Sequence, residues 1–300
     1  METPRYAWLV LLAGVAATSF AAILVRLADE SPALTTAAYR MLFAAIIVGG
    51  FAAVRVLLGA DRMPRCAVWP WLLLSGLFLA GHFWSWFASL ERTSVGSSVV
   101  LVAMQPLLAA GLGFVFLKER PTRAEYEGIA LATVGLVIIG GGDLVRSAGE
   151  LGGDALALLG GLLAAAYRTV GRYLRGQTTA AIYSGAVYAL AAAALWALVA
   201  VFRPAVGGFD VDTWTYLVLL AVGPQVIGHT AFNWGVRHFR VVTVSIVAMI
   251  EPVGATLLAI LILNEDPTVT VLVGAPFILA GVAVGMGAVR WRWPAGAARG

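Results

Sequence analysis

Charge is what this chain lacks most. Only 12% of its 300 residues are Asp, Glu, Lys or Arg, against roughly 25% in an average globular protein. Apolar residues make up 61%, and the mean hydropathy of +0.90 points the same way. A soluble fold of this length has nowhere to bury so much apolar surface, so the composition excludes a secreted domain, a nucleic-acid binder and most soluble enzymes. Cysteine is nearly absent: Cys66 stands alone, so no internal disulfide forms, and no CxxC or His-rich cluster suggests a metal. No P-loop, GxSxG or strand-borne GxGxxG occurs, which removes ATP-driven transport and the commonest serine hydrolase arrangement. The formal net charge of +4 would invite nucleic acid in a soluble protein. Here the basic residues lie between hydrophobic runs and read as topology signals.

What is present is a succession of apolar runs. A membrane helix takes about 20 residues, and ten candidates fall near 6–27, 33–57, 69–90, 93–117, 122–142, 153–174, 179–202, 212–236, 241–263 and 268–289. The first could pass for a signal peptide, but only Arg5 precedes it and nine further runs follow, so it reads as the first membrane helix. The expected fold class is an all-α integral membrane protein. With the N-terminus in the cytoplasm, the inside receives Arg5, Arg55, Arg62, Arg65, Lys118, Arg120 and Arg123 from the first half. From the second it receives Arg168, Arg172, Arg175, Arg237, Arg240, Arg290, Arg292 and Arg299. The outside receives only Arg26, Arg92, Arg146 and Arg203. This is a positive-inside pattern with both termini cytoplasmic. Trp69, Trp71, Trp291 and Trp293 fit an aromatic belt on the same side.

The second half repeats the first. Residues 106–135 and 252–281 match without a gap at an offset of 146, pairing Pro106 with Pro252, Glu119 with Glu265, Pro121 with Pro267, Gly128 with Gly274 and Gly135 with Gly281. Nearby offsets pair Gly81–His82 with Gly228–His229, and Thr35 and Tyr39 with Thr179 and Tyr183. Each unit, 1–145 and 146–300, holds five helices. Five is odd, so the second copy enters the membrane from the opposite side. Inverted repeats of this kind place a substrate site at their interface near the midplane.

With these residues in view, the tail of the fourth segment and its following helix, the same block in the second copy, and the run Tyr39–Ala44 together resemble the EamA-type drug/metabolite transporters. Within them the chain looks most like bacterial amino-acid exporters, the aromatic branch included. That resemblance implies a ten-helix carrier of the inner membrane working by alternating access. It also implies a cavity lined by segments one, three, four, six, eight and nine, with five and ten peripheral. The expected partners are a small amino-acid substrate and membrane lipid, with no nucleic acid and no cofactor, in a monomer or homodimer.

Polar residues inside apolar segments are the candidate site, because a polar group at mid-bilayer depth is costly unless it faces a cavity or a partner. His82 and His229 are repeat-matched; they either bridge helices through backbone carbonyls or face the cavity. Gln105 and Glu251 precede the matched prolines Pro106 and Pro252, each of which removes a backbone donor and kinks its helix. Glu251 reads as a coupling or substrate group, or else as a helix-pinning one. Trp84, Ser85 and Trp86 flank His82 and offer aromatic walls, one of the two Trp also fitting a lipid-facing position. Gln225, His229 and Asn233 recur every four residues as one polar stripe. Gln225 and Asn233 would meet the carboxylate of a zwitterion, and carbonyls near the two prolines its ammonium. Arg40 reads either as snorkelling to the interface or as a gate. Arg168, Arg172 and Arg175 share a face and read as topology anchors, with Tyr167 above them within reach of the cavity. Gly281 and Gly285 form a GxxxG preceded by Gly274, allowing close helix packing within the chain or in a dimer. Serine beside histidine admits an intramembrane protease, but the duplication has no place in that reading. The expectation is a transporter and not an enzyme.

Overall fold

The computed structural model of the chain describes residues 6–93, 95–146, 151–263 and 269–288. Among them every regular element is helical. In chain order these are α1 (Tyr6–Ser19), α2 (Ala21–Leu27), α3 (Ala33–Ala44), α4 (Gly50–Leu57), α5 (Trp69–Leu90), α6 (Val95–Val102), α7 (Gln105–Leu117) and α8 (Arg123–Arg146). There follow α9 (Leu151–Tyr173), α10 (Ala180–Phe202), α11 (Val211–Leu220), α12 (Thr230–His238), α13 (Val241–Ala248), α14 (Glu251–Leu263) and α15 (Val269–Gly285). Each apolar run of the sequence corresponds to one helical stretch, several of them broken in two.

By length and composition, 7 stretches among the described residues can cross a membrane: Tyr6–Leu27, Ala33–Leu57, Cys66–Leu90, Val100–Leu117, Ala180–Phe202, Val211–His238 and Val241–Ile262. α15 is a shorter apolar helix. α8 and α9 are 24 and 23 residues long, but charged residues occupy their ends. The outside of the bundle is apolar: Leu9, Ile46, Phe116, Val201 and Leu261 all point outward. A water-solvated monomer rarely carries so much exposed apolar surface, whereas hydrocarbon solvates it without penalty. The chain is a multi-pass membrane protein.

The helix breaks have local causes. Pro106 and Pro252 sit at the second positions of α7 and α14, each just after a turn that ends the preceding helix. A proline offers no N–H to the carbonyl four residues back, so the carbonyls of Val102 and Ala248 lose their helical donors. The eighth apolar run is wound as a π-helix over Ala221–His229, with Pro224 inside it. A π-turn inserts a residue into the ladder and re-aims the side chains around it, here those of Gln225 and His229. At a loop end, the Arg55 guanidinium bonds Asp61 at 2.8 Å and holds its carboxyl below the usual aspartate range. Asp61 also accepts from Thr179 at 3.1 Å, the residue whose hydroxyl caps α10.

α8 and α15 pack face to face through glycine. A Cβ placed on Gly128 would stand 2.5 Å from the Gly281 carbonyl oxygen, and one on Gly135 would stand 2.5 Å from that of Gly274. The small-residue stripe of α15 is thus used within the chain, against α8, rather than left open for a second copy. Any side chain on this seam must push the helices apart, and overpacking of this kind costs roughly 1–3 kcal/mol. Gly135→Ala is therefore expected to lower the melting temperature in detergent clearly. Gly111→Ala, with nothing within 4 Å of the added carbon, should leave it unchanged. Equal melting of the two variants would remove the seam as a stability determinant.

Candidate functional site

A cavity opens at the centre of the bundle. Its wall takes Ser19 and Ala22 from α1 and α2, His82 and Trp86 from α5, and Val102, Ala103 and Gln105 from the α6–α7 break. The rest comes from Arg168 of α9, His229 of the π-turn, and Ser245, Ala248, Met249, Glu251, Pro252 and Ala255 along the α13–α14 break. These belong to the first, third, fourth, sixth, eighth and ninth apolar runs, and α8 and α15 contribute nothing to the wall. Measured to the centre of a water molecule, the space is ≈ 60 Å³. A single water needs roughly 10–15 Å³ by that measure, so the cavity holds a few waters or one small polar solute.

The two histidines meet across it, their rings 6.3 Å apart. His82 Nδ1 lies 2.9 Å from the Gly160 carbonyl oxygen, an acceptor, so this nitrogen carries the proton and Nε2 is left as the acceptor. The ring stacks on Trp86 at 5.9 Å and 11°. His229 Nδ1 is 2.9 Å from the Tyr167 hydroxyl. That hydroxyl is wholly buried beneath the cavity wall, and Tyr183 in turn donates to the Tyr167 carbonyl at 2.8 Å. The histidines therefore both bridge helices and line the cavity.

The arginines are placed otherwise than their sequence positions suggest. Arg40 does not reach an interface. It is 0% exposed, its guanidinium lies 4.1 Å over the Phe83 ring, and its Nε donates to Gln225 Oε1 at 2.9 Å. Arg168 is not a topology anchor either. It is 2% exposed, donates to Gln105 Oε1, lies 5.1 Å over the Phe232 ring and borders the cavity. Glu251 sits within the field of both guanidiniums. Arg175 is the surface-facing member of that face, while the largely covered Arg172 pairs with Glu119 at 2.7 Å and Arg175 joins them at 3.5 Å. Nothing about the heptad-like spacing of these three distinguishes the depth at which each one ends. The partner Gln105 was the one available signal, a lone amide before a helix-breaking proline.

Of the remaining candidates, Trp86 is in the wall while Trp84 packs outward on Phe202 at 5.8 Å. Ser85 spends its hydroxyl on the Gly81 carbonyl at 2.6 Å. Gln225 and Asn233 share a buried stripe with His229 as their spacing suggests, but neither borders the cavity. Gln225 serves Arg40, and Asn233 donates to Ser184 at 3.1 Å and Tyr188 at 3.3 Å. The cavity's ready donors are thus cationic rather than the neutral amides expected. Pro106 is buried behind Gln105, whereas Pro252 reaches the wall. Ser245, which the sequence did not single out, does so too. Glu265, Pro267 and Thr268 of the repeat lie outside the described residues, as do Arg5, Trp291 and Trp293. Among the described residues no group of three or more His, Cys, Asp or Glu gathers as a metal site.

Comparison with known proteins gives this arrangement its context. The model of the EamA-like transporter family matches the chain twice, over residues 5–141 and 151–286. The chain belongs to that family. The uncharacterized transporter YyaM of Bacillus subtilis (strain 168) is 23% identical over 216 residues, 68% of each chain. An uncharacterized transporter of Clostridium kluyveri is 26% identical over 199 residues, 63% of this chain and 62% of that one. A shorter match, 31% over 72 residues and 24% of this chain, is to a probable 4-amino-4-deoxy-L-arabinose-phosphoundecaprenol flippase subunit ArnE of Hamiltonella defensa, 65% of which it covers. A solved crystal structure superposes with a TM-score of 0.78 at 20% identity, covering 95% of this chain and 98% of the other. That likeness concerns the fold. The chain is a membrane transporter of this family, with its cavity lined by both of the family-model matches.

The Tyr167–His229 bond is the contact that fixes one wall. Tyr167→Phe leaves a buried ring nitrogen without its partner, a loss of about 1–3 kcal/mol. A melting temperature equal to that of the parent chain in detergent would show that the bond carries no stability.

Proposed function

We propose that this transporter exports amino acids across the bacterial inner membrane by alternating access. The reading includes ten crossings, arranged as two inverted five-helix repeats at 1–145 and 146–300, with both termini cytoplasmic. One observation carries it: the central cavity is walled by matched positions of the two halves, His82 with His229 and Gln105 with Glu251, at the depth where a rocking carrier keeps its site. The two separate family-model matches support the duplication. So does the glycine seam, because adding the repeat offset to the contact Gly128–Gly281 turns it into the contact Gly274–Gly135, which is also made.

The cargo's carboxylate is met by Arg168 rather than by neutral amides, and its ammonium by Glu251 with the freed carbonyls near Pro106 and Pro252. Trp86 and the two imidazoles wall the side chain. The cavity's small volume favours a compact solute over a lipid-linked sugar. A single chain contains the whole site, and the GxxxG stripe of α15 is occupied within it, so the monomer is the working unit, with lipid as its solvent.

Two experiments test the reading. In proteoliposomes, Glu251→Gln should lower amino-acid counterflow per folded molecule by roughly tenfold or more, the scale of one lost charge-assisted contact, with melting little changed. Parental turnover and an unchanged pH profile would leave Glu251 as a helix-pinning residue. For orientation, single cysteines in a Cys66→Ala background should label from the periplasm at Asp29 and Gly207 and from the cytoplasm at Gly59 and Gln177. Labelling of Gly59 from the periplasm would reverse the topology.

A further inference from the structure

The polar atoms around the cavity are unequally matched. Arg168 Nε, Trp86 Nε1 and Ser245 Oγ are buried without a hydrogen-bond partner, and all three belong to residues of the cavity wall. Behind Phe83, both terminal nitrogens of Arg40 are also without partners. All of these atoms can donate, and the two arginine and one tryptophan side chains can do nothing else. The acceptors on the same wall are Glu251, the neutral His82 Nε2 and the carbonyls released near the two prolines, and of these Glu251 alone brings charge.

The formal charges are unequal as well. Arg40 and Arg168 supply two positive charges and Glu251 one negative. The histidines add none when neutral, and when protonated they would only add to the excess. Arg172, on the same helix face as Arg168, is drawn off to Glu119. An apolar bundle with an uncompensated cation pays a large desolvation cost, and a zwitterion, neutral overall, leaves that cation uncompensated. A solute with one net negative charge does not.

We infer that the cavity selects a small carboxylate solute bearing one net negative charge, held at Arg168 with Ser245 and Trp86 as further donors. This rests on the cavity being the transport site and narrows the amino-acid reading to cargo such as a dicarboxylic amino acid or an amino acid whose amine is acylated. In either, the carboxylate takes the Arg168 fork, and Arg40 adds its charge from behind Phe83 without touching the solute.

The test uses the purified full-length chain in detergent and reads ligand-induced shifts in melting temperature, titrated with matched pairs. Glutamate is compared with glutamine, N-acetylphenylalanine with phenylalanine, and inorganic phosphate is run as a fifth probe. At least one anion is expected to bind at least tenfold more tightly than its neutral partner, and Arg168→Gln to weaken that binding tenfold or more. Should Arg168→Gln fail to fold, Trp86→Phe and Ser245→Ala take its place, each removing one donor, with an expected loss of severalfold.

If glutamine and phenylalanine bind as tightly as their anionic partners, the charge selection is wrong while the amino-acid reading stands. Binding of N-acetylphenylalanine without any free amino acid keeps the charge selection and overturns export of amino acids with a free amine. Phosphate binding in the absence of either carboxylate overturns the carboxylate assignment in favour of a phosphoanion. Anion binding indifferent to Arg168→Gln, or to both replacement variants, removes these residues from the site. Failure of all five probes on folded protein overturns both readings.

Discussion

Two buried guanidinium groups, Arg40 and Arg168, have to be held where bulk water cannot reach, and the polar interior is arranged around that need. Each is met first by a side-chain amide, Gln225 and Gln105, and then by an aromatic face, Phe83 and Phe232. An amide oxygen costs less to bury than a carboxylate, and a ring face gives a cation an attractive surface without a second charge. What these neutral partners cannot do is cancel the charge, and the one negative charge of Glu251, which feels both guanidiniums, can balance one of the two. The cavity therefore retains an electrostatic preference that no rearrangement of its neutral groups removes.

The same need explains why the helices break where they do. A continuous α-helix through Gln105 or Glu251 would tie up every backbone carbonyl nearby. The prolines that follow these residues free one carbonyl each, and irregular backbone at membrane depth is tolerated where it lines a polar cavity. The π-turn over Ala221–His229 acts similarly, bringing Gln225 to Arg40 and His229 to Tyr167 from one stretch of chain. The buried tyrosines below, with Ser75 and Tyr183 2.6 Å apart and Tyr183 bonded to the Tyr167 carbonyl, fix that floor by hydrogen bonds rather than by charge.

Much of this was legible in the residues before the structure. The apolar runs, their punctuation and the offset of 146 lead to the helices, and repeat-matched polar residues lead to His82, His229, Gln105 and Glu251, all four of them on the cavity wall. Reasoning from residue type failed at the arginines. Positive-inside counting treats every Arg near a helix end as an anchor, yet it measures sequence distance and not depth. Arg168 stands five residues before the end of α9 but turns inward to Gln105. For Arg40 the sequence leaves snorkelling and gating both open, and its partner Gln225 comes from 185 residues away, a contact that no local pattern encodes. Gln225 and Asn233 share a side with His229, but neither borders the cavity; periodicity reports which residues share a side and says nothing of which one meets the cavity.

In the repeat reading proposed above, contacts between the halves fall into two kinds. The glycine seam of α8 and α15 maps onto itself when the halves are exchanged, Gly128–Gly281 becoming Gly274–Gly135, as a contact lying on the exchange axis must. The ion pair Glu119–Arg172 maps instead onto different residues, Glu265 and Arg26, which the sequence supplies as the same two residue types at the same offset. A seam on the axis keeps its partners while the halves rock about it, and tight glycine packing without polar groups suits that constancy. An ion pair suits a position off the axis where water at the membrane surface can take up both charges when the partners separate. The division of labour between glycine and charge thus follows from where each contact lies relative to the axis.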